Sequence, residues 1–448
     1  MTDRPAPPTT REHERLAGSK GGRGWQLWGT YLPERQWGTK REDYSADGNP
    51  WTAFTHDMAR YRAYRWGEDG LLGWTDRQCR ICFSTALWNG RDPVLKERLF
   101  GLTNPEGNHG EDAKELWYYL DATPTHSYAK ALYKYPQAPF PYDDLLKTNA
   151  ARGFADREYE LLDTGVFDGD RYFDAVIEYA KADLEDTLIR LTITNRGPEA
   201  APLCVLPTLT LRNNWSWRTL ERGTESRPWM KAANDTTVVA SHAIVGRFRL
   251  HPVGDNGVQP ELLFTENDTD KGKLDPGFRG ERGYTKDAFH RYVVDNEAGA
   301  VNPRRQGTRG TLLHRLTIGP GASATLRFRL VREDRAPPPA IDQDAFERCF
   351  AERIAEADAF YAVVIPESCP PGEVAVARQA YAGLLWSKQF YYYVAKRWAE
   401  GDPAQPSPPE ERAKNNSTDW SHLFCRDVLS MPDKWEYPWF AAWDLAFT

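Results

Sequence analysis

The chain has 448 residues, and its 57 basic and 64 acidic side chains give a formal net charge of −7. That length is enough for about two or three domains, and the mild negative charge excludes a general attraction to nucleic acid or anionic membranes. With 40% hydrophobic and 27% charged residues, the composition excludes both a disordered chain and a membrane protein. The 17 Trp, 21 Tyr and 19 Phe suit either an aromatic core or pockets for sugar rings.

The N-terminal segment is polar and rich in Pro and Gly over its first 24 residues. It lacks the apolar stretch of a secretory signal, and the chain has no apolar run of about 18 residues that would cross a membrane. We therefore predict a disordered arm over 1–24 and a cytoplasmic protein.

The region that follows, up to residue 334, consists of short alternating stretches separated by turn signals, which is typical of a large antiparallel β-sandwich. Asp186–Asn195 and Leu203–Leu211 flank the sequence Asn-Arg-Gly-Pro and predict a β-hairpin. Further short strands are predicted at Thr237–Ala240, Ile244–Leu250, Glu261–Thr265, Thr311–Ile318 and Ala324–Val331.

The six cysteines are too few for a disulfide framework. Cys79 and Cys82 form a CxxC motif within Gln78–Ala86, which we predict to be a strand. Cysteines three apart on a strand point to opposite faces, and no second Cys or His pair follows at zinc spacing. We expect neither a metal site nor another cofactor.

The character of the chain changes at the Pro-rich segment Arg335–Ala340, which predicts a linker. Asp342–Tyr361 carries apolar residues three and four apart and predicts an amphipathic helix. Glu373–Trp398 predicts a second long helix, and Tyr437–Thr448 predicts the start of a third.

The densest group of carboxylates and tryptophans lies near the C-terminus. It comprises Asp433, Trp435, Glu436, Trp439, Trp443 and Asp444. Glycoside hydrolysis needs a carboxylic acid whose pKa is raised by an apolar wall, and Asp444 directly after Trp443 meets that need. A carboxylate at a helix start, beside Trp residues that only pack, explains the same pattern, so the residues leave both interpretations open.

Three polar segments in the β-rich region could also bind sugar hydroxyl groups. They are Arg65–Gly70, Trp88–Asp92 and the Gly-rich Asn104–Asp112. Ordinary turns capped by Asp and Asn have the same composition, and both interpretations stay open.

Several long segments together resemble bacterial members of glycoside hydrolase family 63, the relatives of processing α-glucosidase (mannosyl-oligosaccharide glucosidase). These segments are 25–32, 41–47, 65–70, 88–112 and 432–439. The resemblance runs from about Gly24 to the last residue. It implies an N-terminal β-sandwich, a helical linker, a catalytic (α/α)6 barrel, and inverting hydrolysis of α-glucosidic bonds in oligosaccharides.

The resemblance also implies roles for individual residues. It makes Asp444, in the Trp443-Asp444 pair, the general acid, with the C-terminal Trp residues as sugar-stacking walls and Glu436 or Asp433 as hydroxyl-binding groups. The family's general base, a Glu in the second half of the barrel, has no match in this chain. We therefore expect an arm over 1–24, a sandwich over 25–334, and a linker with a truncated barrel start over 335–448.

The resemblance leaves three functional hypotheses. The first is a glycosidase of this family that is inactive as an isolated half, because inversion needs two carboxyl groups roughly 6.5–9.5 Å apart. The second is a non-catalytic, sugar-binding β-sandwich. The third is a subunit that docks with a separately encoded barrel half. The expected partners are an oligosaccharide and, in the third case, that C-terminal half, with no nucleic acid or membrane.

Overall fold

The computed structural model describes residues 9–19, 24–35, 54–102, 112–217, 226–275, 277–335, 337–401, 408, 410, 419–430 and 443. Nineteen strands are formed by these residues, and every paired strand is antiparallel to its neighbour. In chain order they are β1 (Trp28–Gly29), β2 (Trp74–Asp76), β3 (Ile81–Trp88), β4 (Gly101–Leu102), β5 (Asp112–Ala113), β6 (Trp117–Ala122), β7 (Tyr128–Pro136), β8 (Tyr172–Asp183), β9 (Asp186–Asn195), β10 (Ala201–Leu211), β11 (Trp229–Ala232), β12 (Val238–His242), β13 (Gly246–Pro252), β14 (Glu261–Thr265), β15 (Gln306–Gly307), β16 (Arg309–Ile318), β17 (Ser323–Arg332), β18 (Lys388–Val394) and β19 (Phe424–Ser430).

Eight α-helices are found in the same described residues. In chain order they are α1 (Arg11–Gly18), α2 (His56–Tyr61), α3 (Tyr142–Ala150), α4 (Lys271–Leu274), α5 (Ala288–Val293), α6 (Gln343–Val364), α7 (Pro371–Trp386) and α8 (Ala395–Glu400). None of these helices is both long and apolar enough to cross a lipid bilayer.

Two large sheets share the main hydrophobic core. One has the strand order β1-β2-β3-β10-β16-β14, and the other has the order β15-β11-β12-β13-β17-β9-β8-β7-β6. Trp74 of the first sheet stacks on Tyr179 of the second with ring centroids 4.7 Å apart, and both rings are fully buried. The β-rich, antiparallel character predicted for this region is confirmed.

The hairpin predicted from β9 and β10 is wrong, because the two strands belong to different sheets. β9 pairs with β8 and β17, whereas β10 pairs with β3 and β16. The buried side chain of Asn195 holds the crossing point, since its Nδ2 donates to the carbonyl oxygen of Ile318 at 2.8 Å. The turn residues between the strands therefore mark a crossover, which has the same local composition as a hairpin turn.

The strand predicted at Gln78–Ala86 begins later, at Ile81, and Cys79 lies in the preceding turn. The Asp76 carboxylate accepts hydrogen bonds from the backbone N–H groups of Gln78, Arg80 and Ile81 and holds this turn in place. The Sγ atoms of Cys79 and Cys82 consequently lie 3.3 Å apart. The prediction that the two cysteines point to opposite faces is wrong.

The arm predicted to be disordered over 1–24 contains helix α1, which is anchored to the sandwich. Glu12 is fully buried, and its Oε1 accepts hydrogen bonds from the backbone and hydroxyl of Thr125 at 2.8 and 2.7 Å. Arg15 forms an ion pair with Glu356 of α6 at 2.7 Å. Polar composition alone suggested disorder, but these buried charge-assisted hydrogen bonds fix the helix.

The amphipathic helix predicted after the linker is confirmed as α6, whose Phe346 and Phe350 pack on the outer side of the large sheet. The prediction of a second long helix is only partly correct, because the helix ends at Trp386 and is followed by strand β18. The aromatic run in Lys388–Val394 has high β propensity, and β18 pairs with the distant β19.

The barrel and the domain boundaries stay predictions. α6 and α7 follow the sandwich in the described chain, but two helices do not define a barrel. The third helix predicted over 437–448 lies outside the described residues apart from Trp443.

Candidate functional site

The C-terminal residues singled out from the sequence lie almost entirely outside the described chain. Asp433, Trp435, Glu436, Trp439 and Asp444 are among the residues not described, and their predicted roles stay predictions. Trp443 is described and is 77% exposed.

The Arg65–Gly70 segment is an internal polar network, not a surface loop. The Asp69 carboxylate accepts hydrogen bonds from Tyr64 at 2.6 Å and from Nε of Arg98 at 3.3 Å, and both ion-pair partners are almost fully buried. Glu68 accepts a hydrogen bond from Nδ2 of the buried Asn267 at 2.6 Å. These side chains are committed to each other, so the segment offers no open sugar site.

The Trp88–Asp92 segment is a turn of the ordinary Asx type. Oδ1 of Asn89 accepts hydrogen bonds from the backbone N–H groups of Arg91 and Asp92, and the indole of Trp88 donates to the carbonyl oxygen of Asp92 at 2.8 Å. The turn interpretation applies here. Most of the Gly-rich segment Asn104–Asp112 lies outside the described residues.

An open cleft of about 300 Å³ lies where the edges of the two large sheets meet. Its lining comprises Arg227, Pro228, Trp229, Met230, Lys231, Glu266, Gln306, Gly307 and Thr308. Strand β15 is the edge of one sheet and β14 is the edge of the other. Their close approach requires glycine at 307, because a Cβ there would overlap the carbonyl oxygen of Thr265.

One arginine organises the polar side of this cleft. Nη2 of Arg227 donates to Oε2 of Glu266 at 2.8 Å and to Oδ2 of Asp268 at 2.9 Å. Oε2 of Glu266 also accepts a hydrogen bond from Thr308 at 2.7 Å. All three charged side chains keep between 28% and 46% of their surface exposed, so the group remains open to a ligand.

One indole ring lies beside the arginine, and a second lines the cleft. The guanidinium carbon of Arg227 lies 4.7 Å from the centroid of the Trp215 ring, and the Trp215 indole donates to Oδ1 of Asp268 at 2.8 Å. Trp229 is 39% exposed and has Nζ of Lys231 at 5.0 Å from its ring centroid. An exposed cation–π contact of this kind is weak, about 0.5–1 kcal/mol, so a ligand can displace Lys231 from the face of the Trp229 ring.

Glu266 is the carboxylate in the lining of the cleft. Burial raises the pKa of its carboxyl group, although the hydrogen bond from Thr308 and the charge of Arg227 oppose the shift. Its second oxygen, Oε1, accepts no hydrogen bond from any side chain or backbone group that the structure describes. This oxygen is therefore available to a hydroxyl group in the cleft.

The carboxylate geometry favours binding over hydrolysis at this place. Oε2 of Glu266 and Oδ2 of Asp268 both bond to the same nitrogen of Arg227, which keeps them closer together than the roughly 6.5–9.5 Å of an inverting pair. The guanidinium also occupies the space between them. A flat apolar face beside a cation and hydrogen-bond acceptors suits a pyranose ring, which has apolar C–H faces and polar edges.

A second group of carboxylates, Asp112, Glu158 and Glu160, resembles a metal site in spacing, with ligand oxygens within 4.8 Å of one another. The ammonium group of Lys114 lies among them, 3.0 Å from Glu160 and 3.4 Å from Glu158, and also bonds to Asp112. Burial and the neighbouring Asp112 raise the pKa of Glu158 to about 7. The lysine already supplies the positive charge at this place, so the group is explained without a metal ion.

The cleft is not predicted by the sequence alone. Its local signal is the polar triplet Glu266-Asn267-Asp268 directly after a correctly predicted strand, together with Trp215 and Trp229. Nothing local shows that these residues meet, because β15 closes the cleft from a position about 40 residues further along the chain.

Comparison with known proteins gives one relative in sequence and no family model that matches the chain. An uncharacterized Saccharomyces cerevisiae protein, YMR196W, is 41% identical over 478 aligned positions. The alignment covers 98% of this chain and 44% of the yeast protein, so the chain spans less than half the length of that relative.

Two solved structures have limited similarity to the fold. A polysaccharide lyase is 12% identical with a TM-score of 0.27, covering 61% of this chain and 27% of the lyase. A protein assigned as a kojibiose phosphorylase from the human microbiome is 7% identical with a TM-score of 0.17, covering 51% of this chain and 24% of that protein. At these scores neither pair establishes a common fold.

Proposed function

We propose that this chain is the β-rich part of a carbohydrate-active protein and that the cleft between β14 and β15 binds a sugar unit of an oligosaccharide. The observation that carries the proposal is the arrangement around Arg227, in which two carboxylates share one guanidinium beside the exposed ring of Trp229. The cleft volume of about 300 Å³ suits one or two sugar rings.

The chemistry of the cleft defines how a sugar would bind. The apolar face of a pyranose ring would lie on the indole of Trp229, displacing Lys231. A hydroxyl group would donate to Oε1 of Glu266, and the Arg227 guanidinium would donate to a ring or hydroxyl oxygen. The opening to solvent leaves room for the rest of an oligosaccharide chain.

Hydrolysis is the second proposed function, and the Trp443-Asp444 motif is the observation that favours it. In this proposal the cleft holds part of an oligosaccharide, while Asp444 protonates the leaving oxygen in inverting hydrolysis of an α-glucosidic bond. Trp435, Trp439 and Trp443 would stack on the sugar, and Asp433 and Glu436 would bind hydroxyl groups. The general base would come from a C-terminal half outside this chain, and localisation in the cytoplasm remains part of the proposal.

The binding proposal is tested by calorimetric titration of the full chain with maltotriose, and with cellotriose as a linkage comparison. The Trp229→Ala variant should weaken binding about tenfold, because an aromatic contact is worth about 1.4 kcal/mol. Trp420→Ala is the matched control, since Trp420 is also exposed (58%) but lies outside the cleft lining. Equal affinities of Trp229→Ala and the unaltered chain, or no binding of either sugar, would overturn the proposal.

The two proposed functions are separated by the Asp444→Asn variant. If the cleft alone binds the sugar, this substitution leaves the affinity for maltotriose unchanged. The chain alone should show no turnover of an α-glucoside, because inversion needs a second carboxylate. Turnover by the isolated chain that Asp444→Asn abolishes would instead support a complete active site in this chain.

A further inference from the structure

The CxxC turn beside the β18–β19 sheet brings two thiols together at a place unrelated to the sugar cleft. The Sγ atoms of Cys79 and Cys82 are 3.3 Å apart, and both cysteines are reduced. The other four cysteines, Cys204, Cys349, Cys369 and Cys425, are also free. In the described chain, which includes all six, no other two cysteine sulfurs are hydrogen-bonded to each other.

The backbone of the turn favours this convergence. Cys79 has a φ of +54°, a left-handed conformation that residues with a Cβ seldom adopt. Its N–H donates to the carbonyl oxygen of Asp76 at 2.8 Å, and the Asp76 side chain holds the next residues of the turn. An unfavourable backbone conformation that is fixed from both sides points to a role beyond packing.

The turn also supports the two-stranded sheet formed by β18 and β19. Cys79 and Cys82 belong to the same hydrophobic cluster as Phe390, Tyr392 and Trp398. The neighbouring Arg77 forms an ion pair with Asp427 of β19 at 2.8 Å. A covalent change in the turn would therefore act directly under this sheet.

We propose that Cys79 and Cys82 form a reversible intramolecular disulfide, which locks the turn on which the β18–β19 sheet rests. The oxidant is a small disulfide such as oxidised glutathione. The thiolate of one cysteine attacks the glutathione disulfide and releases one reduced glutathione. The second cysteine then attacks the mixed disulfide, which forms the Cys79–Cys82 bond and releases the second glutathione. The two electrons and two protons lost by the cysteine thiols end on the two glutathione molecules.

The burial of both thiols determines when the bond forms. Cys79 and Cys82 are 0% and 2% exposed, and burial raises the pKa of the Cys82 thiol. The folded protein is therefore expected to react slowly, and closure takes place during folding or when the β18–β19 sheet opens. The same burial slows reduction, so the bond is reduced again on the same occasions.

The experiment refolds the full chain from denaturant in buffers with graded ratios of reduced to oxidised glutathione. After an acid quench, free thiols are alkylated and peptides are mapped by mass spectrometry. We expect the Cys79–Cys82 peptide to carry no alkyl group and to be lighter by two hydrogens. Cys204→Ser should leave this result unchanged, whereas Cys79→Ser should leave Cys82 alkylated or joined to glutathione.

A second measurement keeps the proposal testable if Cys79→Ser does not fold. The glutathione ratio that oxidises half of the pair is compared between the folded chain and the same chain kept in denaturant. The equilibrium for forming the bond should be at least about tenfold more favourable in the folded chain. The folded turn already holds the two sulfur atoms close together, and folding and bond formation therefore stabilise each other by linkage. An equal or lower preference in the folded chain would overturn the proposal, as would alkylation of both cysteines at every glutathione ratio.

Discussion

The cleft between β14 and β15 and the buried network around Asp69 contain the same kinds of residues on the two sides of one chain segment. After β14, Glu266 and Asp268 turn to Arg227 in the cleft, while Asn267 between them turns inward and donates to Glu68. Both places combine an arginine with carboxylates. The ion-pair side chains of the cleft are 28% to 46% exposed, whereas those of Asp69 and Arg98 are 1% and 3% exposed.

This difference in exposure decides what each group of residues can do. A buried charge must be paired and hydrogen-bonded, so the network around Asp69 is fully committed to holding the fold. The charges of the cleft are partly solvated, and Oε1 of Glu266 accepts no hydrogen bond from the described part of the chain, so the cleft can exchange water for a ligand. The comparison predicts large stability effects in the network, and small stability effects with large binding effects in the cleft.

The largest expected effect is that of Asp69→Ala. The substitution takes the carboxylate away from the buried Arg98 and removes the acceptor of the Tyr64 hydroxyl. We expect a loss of about 3–5 kcal/mol in the free energy of unfolding, measured by urea denaturation. The matched control is Asp268→Ala in the cleft, which should cost about 1 kcal/mol or less. Similar losses for the two variants would contradict the distinction between network and cleft.

The next largest expected effect is a rise in folding stability at alkaline pH, which originates in the network. Nζ of Lys286 lies 3.5 Å from the centroid of the Tyr64 ring in this network. Burial, reinforced by the charge of Arg98, lowers the pKa of Lys286 from 10.5 to about 8. Between these values the unfolded chain holds a proton that the folded chain has released, so raising the pH favours the folded state. The stability of the wild-type chain relative to Lys286→Met should therefore rise above pH 8, by at most about 1.4 kcal/mol per pH unit. A difference that is constant with pH would refute this prediction.

The smallest expected effect is a change in folding stability at acidic pH, which originates in the cleft. The pKa of Glu266 is raised above its ordinary value of 4.5, mainly by burial. In the window just above 4.5 the folded chain holds a proton that the unfolded chain has released, so raising the pH through this window weakens folding. Urea midpoints of the wild-type chain, taken relative to Glu266→Gln, should fall slightly with rising pH there, because solvent screens this partly exposed group. A rise of the relative urea midpoint with pH would show that folding lowers the pKa of the Glu266 carboxyl group, which would contradict the prediction.

The sequence predicted the elements whose pattern is local. The short apolar run in Glu261–Thr265 gives β14 with the predicted bounds, and the three-and-four spacing of apolar residues gives α6. The pattern of buried and exposed residues along one strand or helix depends on its own side chains, and for this reason it can be recognised without the rest of the fold.

The predictions that failed concern which elements meet. β9 and β10 each have a strand pattern, but their assignment to different sheets depends on distant partners and on Asn195 at the crossover. The aromatic run Lys388–Val394 becomes a strand because β19 pairs with it, and the thiols of Cys79 and Cys82 meet because Asp76 shapes their turn.

The sequence by itself determined a β-rich chain with many tryptophans, and it marked carboxylates and aromatic rings as candidate sugar-binding groups. Tertiary structure decided which of these groups are available. It buried Glu68 and Asp69 against Arg98 and Asn267, and left Glu266 open beside Trp229. The physical reason is that exposure depends on which strands cover a side chain, and the closure of the cleft by β15 and Gly307 is a contact between distant parts of the chain.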